Sequence, residues 1–246
     1  MEHIKIQKLL TDYDIDLSTV SLGDFDHIGE YTAKKSRDKN SPLYANTGAY
    51  FRPNYERGIL IYSLIKRFKL KSFLEIGFGR GYSAICAAKA FHDIGVDGKV
   101  TTIDPVFDKE QLETMSQVFP KEWLEKIDLK QGLSQQVLKE MDGPWDFVYI
   151  DGDHHAAAVQ ADWDLTKNKW GSFLLFDDYH LPSKKEANIE CAIAIDRIDE
   201  TKFDASKKLI IMDRRIFLDD RRYTDEAIDY GQCLLAKNSL LESDGW

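Results

Sequence analysis

Apolar residues fall along the 246-residue chain in short runs separated by amphipathic stretches. Runs at about 72–77, 99–104, 126–131, 145–151 and 171–177 predict strands. The stretches at about 81–92, 109–118, 134–141, 156–168 and 186–199 predict helices. Ile59, Leu60, Tyr62, Leu64, Ile65 and Phe68 recur at helical spacing, so a further helix leads into the first strand. Strand and helix alternate throughout, the pattern of a parallel sheet covered on both faces in an α/β fold.

The two ends break the alternation. Beyond residue 206, Leu209-Ile210-Ile211-Met212 and Ile216-Phe217-Leu218 flank Asp213-Arg214-Arg215 too closely for a helical crossover, which predicts a terminal antiparallel hairpin. The expected sheet is thus mostly parallel and seven-stranded. The tail from Thr224 to Leu241 reads as a helix closing on the core. Residues 1–53 are polar and irregular, with apolar clusters at Ile6–Leu10 and Val20–Leu22, and read as an N-terminal cap or lid on a main domain of residues 54–246.

Composition narrows the partners. Hydrophobic residues make up 43% of the chain, enough for a buried core in one large domain. With 42 acids against 33 bases and a net charge of -9, a nucleic-acid partner is not expected, because phosphate binding calls for a basic face. A small neutral or metal-neutralised substrate fits better. Cys86, Cys191 and Cys233 lie far apart without CxxC spacing and read as buried thiols in a reducing compartment. No signal-peptide core and no membrane-length apolar run is present, so the expectation is a soluble, cytoplasmic protein without a membrane partner.

The first strand, Phe73-Leu74-Glu75-Ile76, runs into Gly77-Phe78-Gly79-Arg80-Gly81-Tyr82-Ser83, and the second, Val100-Thr101-Thr102-Ile103, ends on Asp104. Glycines let a backbone approach a ligand closely, and an acid at the tip of the next strand accepts two ribose hydroxyls. An adenosine-containing cofactor is the inference. A dinucleotide fingerprint would place its third glycine at position 82, which holds Tyr82, so a nicotinamide dehydrogenase ranks low.

Two further strands end in acids. Trp145–Ile150 runs into Asp151-Gly152-Asp153-His154-His155, and Ser172–Phe176 into Asp177-Asp178-Tyr179-His180. The carboxyl ends of parallel strands share the ligand-binding edge of a sheet, so Asp151, Asp177 and Asp178 are expected close together. Acids at strand ends also simply face water or cap helices. Three together, beside a cofactor motif, need a compensating cation, and oxygen ligands suit Mg²⁺, with Mn²⁺ or Ca²⁺ as alternatives. His154, three residues past Asp151, is the candidate general base, with His155, His180 and Asp153 as rivals.

Taken together, Glu75-Ile-Gly-Phe-Gly-Arg-Gly-Tyr-Ser83, Gly132-Leu-Ser-Gln135, Asp151 with His154, and Asp177-Asp178 resemble the metal-dependent class I S-adenosylmethionine-dependent O-methyltransferases of the catechol O-methyltransferase type. They resemble still more the bacterial relatives that modify sugars and antibiotic scaffolds. The resemblance spans roughly residues 44–220 and implies a Rossmann-like class I methyltransferase fold and S-adenosylmethionine as cofactor. It implies that Glu75, Gly77, Gly79 and Gly81 shape the cofactor loop, with Tyr82 and Ser83 near the methionine end. Asp104 would hold the ribose, Gly132, Leu133 and Ser134 would line the adenine pocket, and Asp151 would face both cofactor and metal. Asn46 and Thr47 would roof the methionine part.

Mammalian members carry an amide where this chain has Asp178 and a lysine where it has His154, which points the expected acceptor towards a sugar hydroxyl or vicinal diol. The resemblance includes enzymes that dimerise, so a homodimer is among the assemblies it implies. Two other readings stay open: a catalytically silent cofactor-binding accessory protein, and a metal-independent N-methyltransferase. The latter is disfavoured because Phe176-Asp177-Asp178-Tyr179 lacks the Asn/Asp-Pro-Pro-aromatic turn.

Overall fold

The computed structural model describes residues 2–21, 23–25, 27–29, 55–107, 109–180, 190–211 and 230–242. Their strands are β1 (Glu2–Lys5), β2 (Ser72–Ile76), β3 (Lys99–Asp104), β4 (Ile127–Gln131), β5 (Trp145–Ile150), β6 (Trp170–His180), β7 (Ala205–Ile211) and β8 (Tyr230–Lys237). They form one sheet in the order β1-β7-β8-β6-β5-β2-β3-β4. From β6 to β4 all neighbours are parallel, and β8 runs antiparallel to both β6 and β7.

The principal helices are α1 (Ile6–Asp12), α2 (Tyr55–Phe68), α3 (Tyr82–Asp93), α4 (Lys109–Val118), α5 (Lys121–Leu124), α6 (Ser134–Val137), α7 (Ala156–Thr166), α8 (Cys191–Ile195) and α9 (Asn238–Glu242). Two apolar layers enclose the sheet. One packs α1, α2 and α3 against Phe73, Phe147, Tyr149 and Phe173. The other packs α7 and α8 against Leu74, Val148, Leu174 and Leu235. Strands buried on both faces read as continuous apolar runs, which is why the central ones were legible from composition alone.

The ends of the chain differ from expectation. β7 pairs antiparallel with residues 230–237, and the partner expected for it, residues 216–218, lies outside the described residues. The tail expected to be helical therefore contributes a strand, because Cys233-Leu234-Leu235-Ala236 is buried between both layers and leaves only α9 beyond it. Residues 2–5 add an eighth strand, parallel to β7, at the sheet edge. Ile6, Leu9, Leu10, Phe25 and Ile28 from the segment read as a cap are buried in the same core as α2 and α3.

β6 is also longer than expected. It continues through Asp177 and Asp178, with a register shift against β8 between Phe176 and Tyr179. Asp178 has a φ of 49°, the left-handed region that non-glycine residues rarely occupy. This bulge redirects two consecutive acids, which a regular strand would send to opposite faces.

Candidate active site

The strand order reverses around β2, whose neighbours are β3 and β5, and ligands bind in such crevices at the carboxyl ends of strands. The loop of residues 77–81 fills this place. Gly77, Gly79 and Gly81 have φ values of 94°, 51° and 77°. The Gly77 amide donates to the Ile103 carbonyl at 2.9 Å, and the Asp151 amide donates to the Ile76 carbonyl at 2.9 Å, so the loop is tied to both flanking strands. A Cβ at Gly79 would meet nothing within 4 Å, which leaves open space above the loop.

Asp104 closes one side. Its Oδ2 accepts from the amides of Phe78 (2.9 Å) and Gly79 (3.1 Å), and its Oδ1 accepts from the Val106 amide (2.8 Å). Its carboxylate is thereby fixed beside the loop at the tip of β3. Leu133, half-exposed, offers an apolar face next to it in the turn that Gly132 opens after β4. The Ser134 hydroxyl is buried and donates to Asp162 Oδ1 at 2.5 Å. Burial raises the Asp162 carboxyl to about 6. These groups suit an adenosine-bearing cofactor: an open cradle, a ribose acceptor and an apolar shelf.

Glu75, expected in the cofactor loop, is buried beneath it. Its oxygens are taken by the hydroxyls of Ser83 and of Thr102, the latter at 2.7 Å. Ser83 and Tyr82 are buried too, Tyr82 against Gly58 of α2 and Cys86 of α3, where a Cβ on Gly58 would lie 2.5 Å from the Tyr82 hydroxyl. Glu75 therefore acts on the loop from below. Asn46 and Thr47 lie outside the described residues.

Burial raises the Glu75 carboxyl to about 8, against the pull of its Ser83 and Thr102 hydrogen bonds. Because the folded value lies above the ordinary 4.5, this group's contribution to stability is full below pH 4.5 and is lost as pH rises towards 8. Relative to Glu75→Gln, the wild type should lose on the order of 1 kcal/mol per pH unit between about pH 5 and 8 in urea denaturation. Parallel pH profiles for the two proteins would refute this.

The acids on the other side of the crevice are divided. The ligand atoms of Asp151, His154 and Asp178 lie within 4.8 Å of one another, close enough for one ion to reach all three. His154 Nε2 is 3.3 Å from Asp178 Oδ2 and 3.9 Å from Asp151 Oδ1. The hydrogen bond to Asp151 raises the imidazole to about 9; burial opposes the shift and Asp178 adds to it. Asp177, expected in the same ligand set, is more deeply buried: its Oδ1 accepts from Gln232 Nε2 at 2.9 Å, its Oδ2 is paired with Arg57, and it stays within hydrogen-bonding reach of Asp151.

Arg57 also pairs with Asp151 Oδ2 at 2.7 Å. Burial works against charge on Asp151, but Arg57 and then His154 hold its carboxyl below the usual range. Arg57 and Gln232 were not picked out from the sequence. Arg57 carried a signal, since it stands three and four residues before the buried Leu60 and Ile61, on the apolar stripe of α2. Asp153 and His155, the rival bases, pair with each other at 2.5 Å on the exposed side of the turn.

Among known proteins, residues 74–179 match a family model described as a methyltransferase domain. Caffeoyl-CoA O-methyltransferase 2 of Petunia hybrida is 33% identical over 105 residues, covering 40% of this chain and 41% of that protein. Caffeoyl-CoA O-methyltransferase 1 of Nicotiana tabacum is 33% identical over 105 residues, covering 40% and 42%. The chain thus spans about two fifths of the length of these curated relatives.

Solved structures share the fold at lower identity. The O-methyltransferase TomG of Streptomyces achromogenes, determined in complex with SAM, superposes with a TM-score of 0.55 at 16% identity, covering 85% of this chain and 90% of that one. A putative O-methyltransferase from Klebsiella pneumoniae gives 0.56 at 15% identity, covering 87% and 89%. Among the described residues no helix is long and apolar enough to cross a membrane. Residues 74–179 thus match a methyltransferase domain, set in a fold that the chain shares with these solved structures.

Proposed function

We propose that this protein methylates a hydroxyl of a small molecule, a sugar or other vicinal diol, with S-adenosylmethionine as donor and a divalent cation assisting. The observation that carries the reading is that two half-sites meet at Asp151. The glycine loop and Asp104 lie on one side of the β2–β5 edge, and Asp151, His154 and Asp178 lie on the other. When bound, the cofactor supplies a sulfonium methyl with a good leaving group, and the cation, Mg²⁺ or another divalent ion, a Lewis-acid contact for the acceptor oxygen.

The chain's own residues position and deprotonate. Asp104 would receive the ribose hydroxyls, Leu133 would cover one adenine face, and the glycine loop would let the methionine part come close to its backbone. Asp151 and Asp178 would hold the cation, which would serve an acceptor offering two adjacent oxygens. His154 Nε2 faces the same gap and, in its neutral form, would take the proton of the acceptor hydroxyl. Positioning accounts for much of the rate, since the displacement requires an in-line approach of the acceptor oxygen to the methyl carbon and a bound, oriented acceptor is spared the entropic cost of reaching it.

Calorimetric titration with S-adenosylhomocysteine tests the cofactor half, and transfer to a panel of sugars and vicinal diols tests the acceptor half. One site is expected, weakened roughly tenfold or more by Asp104→Ala because a buried-edge acceptor of two hydroxyls is lost. Transfer should stop in excess chelator and return with Mg²⁺. Equal or tighter binding of NAD would refute the cofactor, full transfer in chelator would remove the cation, and tight cofactor binding without any transfer would favour an accessory role.

A further inference from the structure

Asp162 stands on the buried stripe of α7 with Val159, Trp163 and Thr166, and it is only 2% exposed. Its Oδ1 accepts from the Ser134 hydroxyl at 2.5 Å and from Gln135 Nε2 at 3.3 Å. The Thr166 hydroxyl serves the Asp162 backbone carbonyl instead, at 2.7 Å. Among the described residues no ion pair includes Asp162, so neutral donors meet its charge. Both donors belong to α6, a single turn too short to hold itself. The Gly132 amide donates to the Asp104 carbonyl at 3.1 Å, which sets this turn next to the proposed ribose acceptor.

A carboxylate only accepts hydrogen bonds, and it therefore fixes the polarity of the groups it holds. The Ser134 proton is committed to Asp162, which leaves the hydroxyl oxygen an acceptor towards anything else. The Gln135 amide must offer Asp162 its NH₂ end, which turns its carbonyl oxygen the other way. A pocket edge built of acceptors calls for a donor, and adenine carries one in its exocyclic amino group, where hypoxanthine carries a carbonyl. We propose that Asp162 is a positioning residue that holds Ser134 and Gln135 as acceptors and thereby selects the amino-bearing base of the cofactor. The inference deepens the cofactor half of the reading above and rests on α6 lining its adenine pocket.

Calorimetric titration of the full chain with S-adenosylhomocysteine and with its deaminated analogue S-inosylhomocysteine tests it. The titrations are run at pH 8, where the Asp162 carboxyl, raised by burial to about 6, is ionised. The wild type should prefer the adenine compound by about tenfold or more, because the analogue sets an acceptor against acceptors. Asp162→Asn keeps the shape but adds a donor, so the Gln135 amide is no longer held one way round and the preference should shrink about fivefold or more. Gln135→Leu removes one acceptor from a part-exposed residue and should also shrink the preference, an arm that stands even if Asp162→Asn does not fold.

A purely structural Asp162 would weaken both compounds equally, and an unchanged preference in a folded Asp162→Asn or in Gln135→Leu would overturn the proposal alone. So would a wild type that binds both compounds equally well. Binding of neither compound by the wild type would overturn it together with the proposed cofactor.

Discussion

Gly77→Ala is expected to abolish measurable cofactor binding and to lower unfolding free energy by about 3 kcal/mol or more. Gly77 has a φ of 94°, and a Cβ there would lie 2.0 Å from the Asp151 carbonyl oxygen, 2.6 Å from its carbon and 3.0 Å from the Gly152 Cα. These are backbone atoms, so no rotamer change relieves the clash. Neither side can retreat without loss, because Gly77 and Asp151 both donate ladder-like hydrogen bonds to neighbouring strand ends. Separating them would pull Asp151 from His154 and Asp178, so both half-sites fail together.

Gly79→Ala is the control. Its φ of 51° also favours glycine, but a Cβ would meet nothing within 4 Å, so only a conformational cost of about 1–2 kcal/mol is expected. Urea denaturation and S-adenosylhomocysteine titration of both variants provide the check. A Gly77→Ala protein with wild-type stability and affinity would mean that the loop does not pass this close to β5.

His154→Ala is expected to reduce turnover by about 10² to 10⁴ while leaving cofactor affinity nearly intact. The side chain points at the gap between Asp151 and Asp178, whereas the backbone around it is held independently. The His154 carbonyl accepts from the Glu190 amide at 2.8 Å, and the Glu190 carboxylate accepts from the Ala156 amide at 3.0 Å at the start of α7. Truncating the imidazole therefore removes a proton acceptor without dismantling the turn. Glycine loop and Asp104 contacts lie on the other side of the crevice, which is why affinity should hold. Single-turnover kinetics with a reactive acceptor, alongside calorimetry, separate the two effects. Near-normal turnover would move the base elsewhere, and the exposed Asp153–His155 pair would be the next groups to substitute.

The central strands, the glycine loop and Asp104 were legible in the sequence because each is a local matter. A strand buried on both faces must be an apolar run, a tight loop pressed against another backbone must carry glycine, and the acid after β3 needs only to end its strand. Asp151, His154 and Asp178 could be placed at one sheet edge for the same reason. The edges of the fold were not local. β8 depends on the long-range pairing of residues 230–237 with β6 and β7, and an apolar stretch of that length reads equally as strand or buried helix until its neighbours are known.

Asp177 and Asp178 look identical in sequence, and the folded strand, with its bulge and Asp178 at a φ of 49°, decides that Asp177 meets Arg57 and Gln232 while Asp178 meets His154. Arg57 was visible as a charge on an apolar stripe, but that its partners are Asp151, 94 positions away just past β5, and Asp177 on β6 was a fact of packing. Local pattern alone thus determined the strand-and-loop framework and the residue types at its ligand-binding edge. Which acid meets the arginine and which meets the histidine was decided by tertiary structure, because burial forces each charge to find a partner wherever the folded chain happens to offer one.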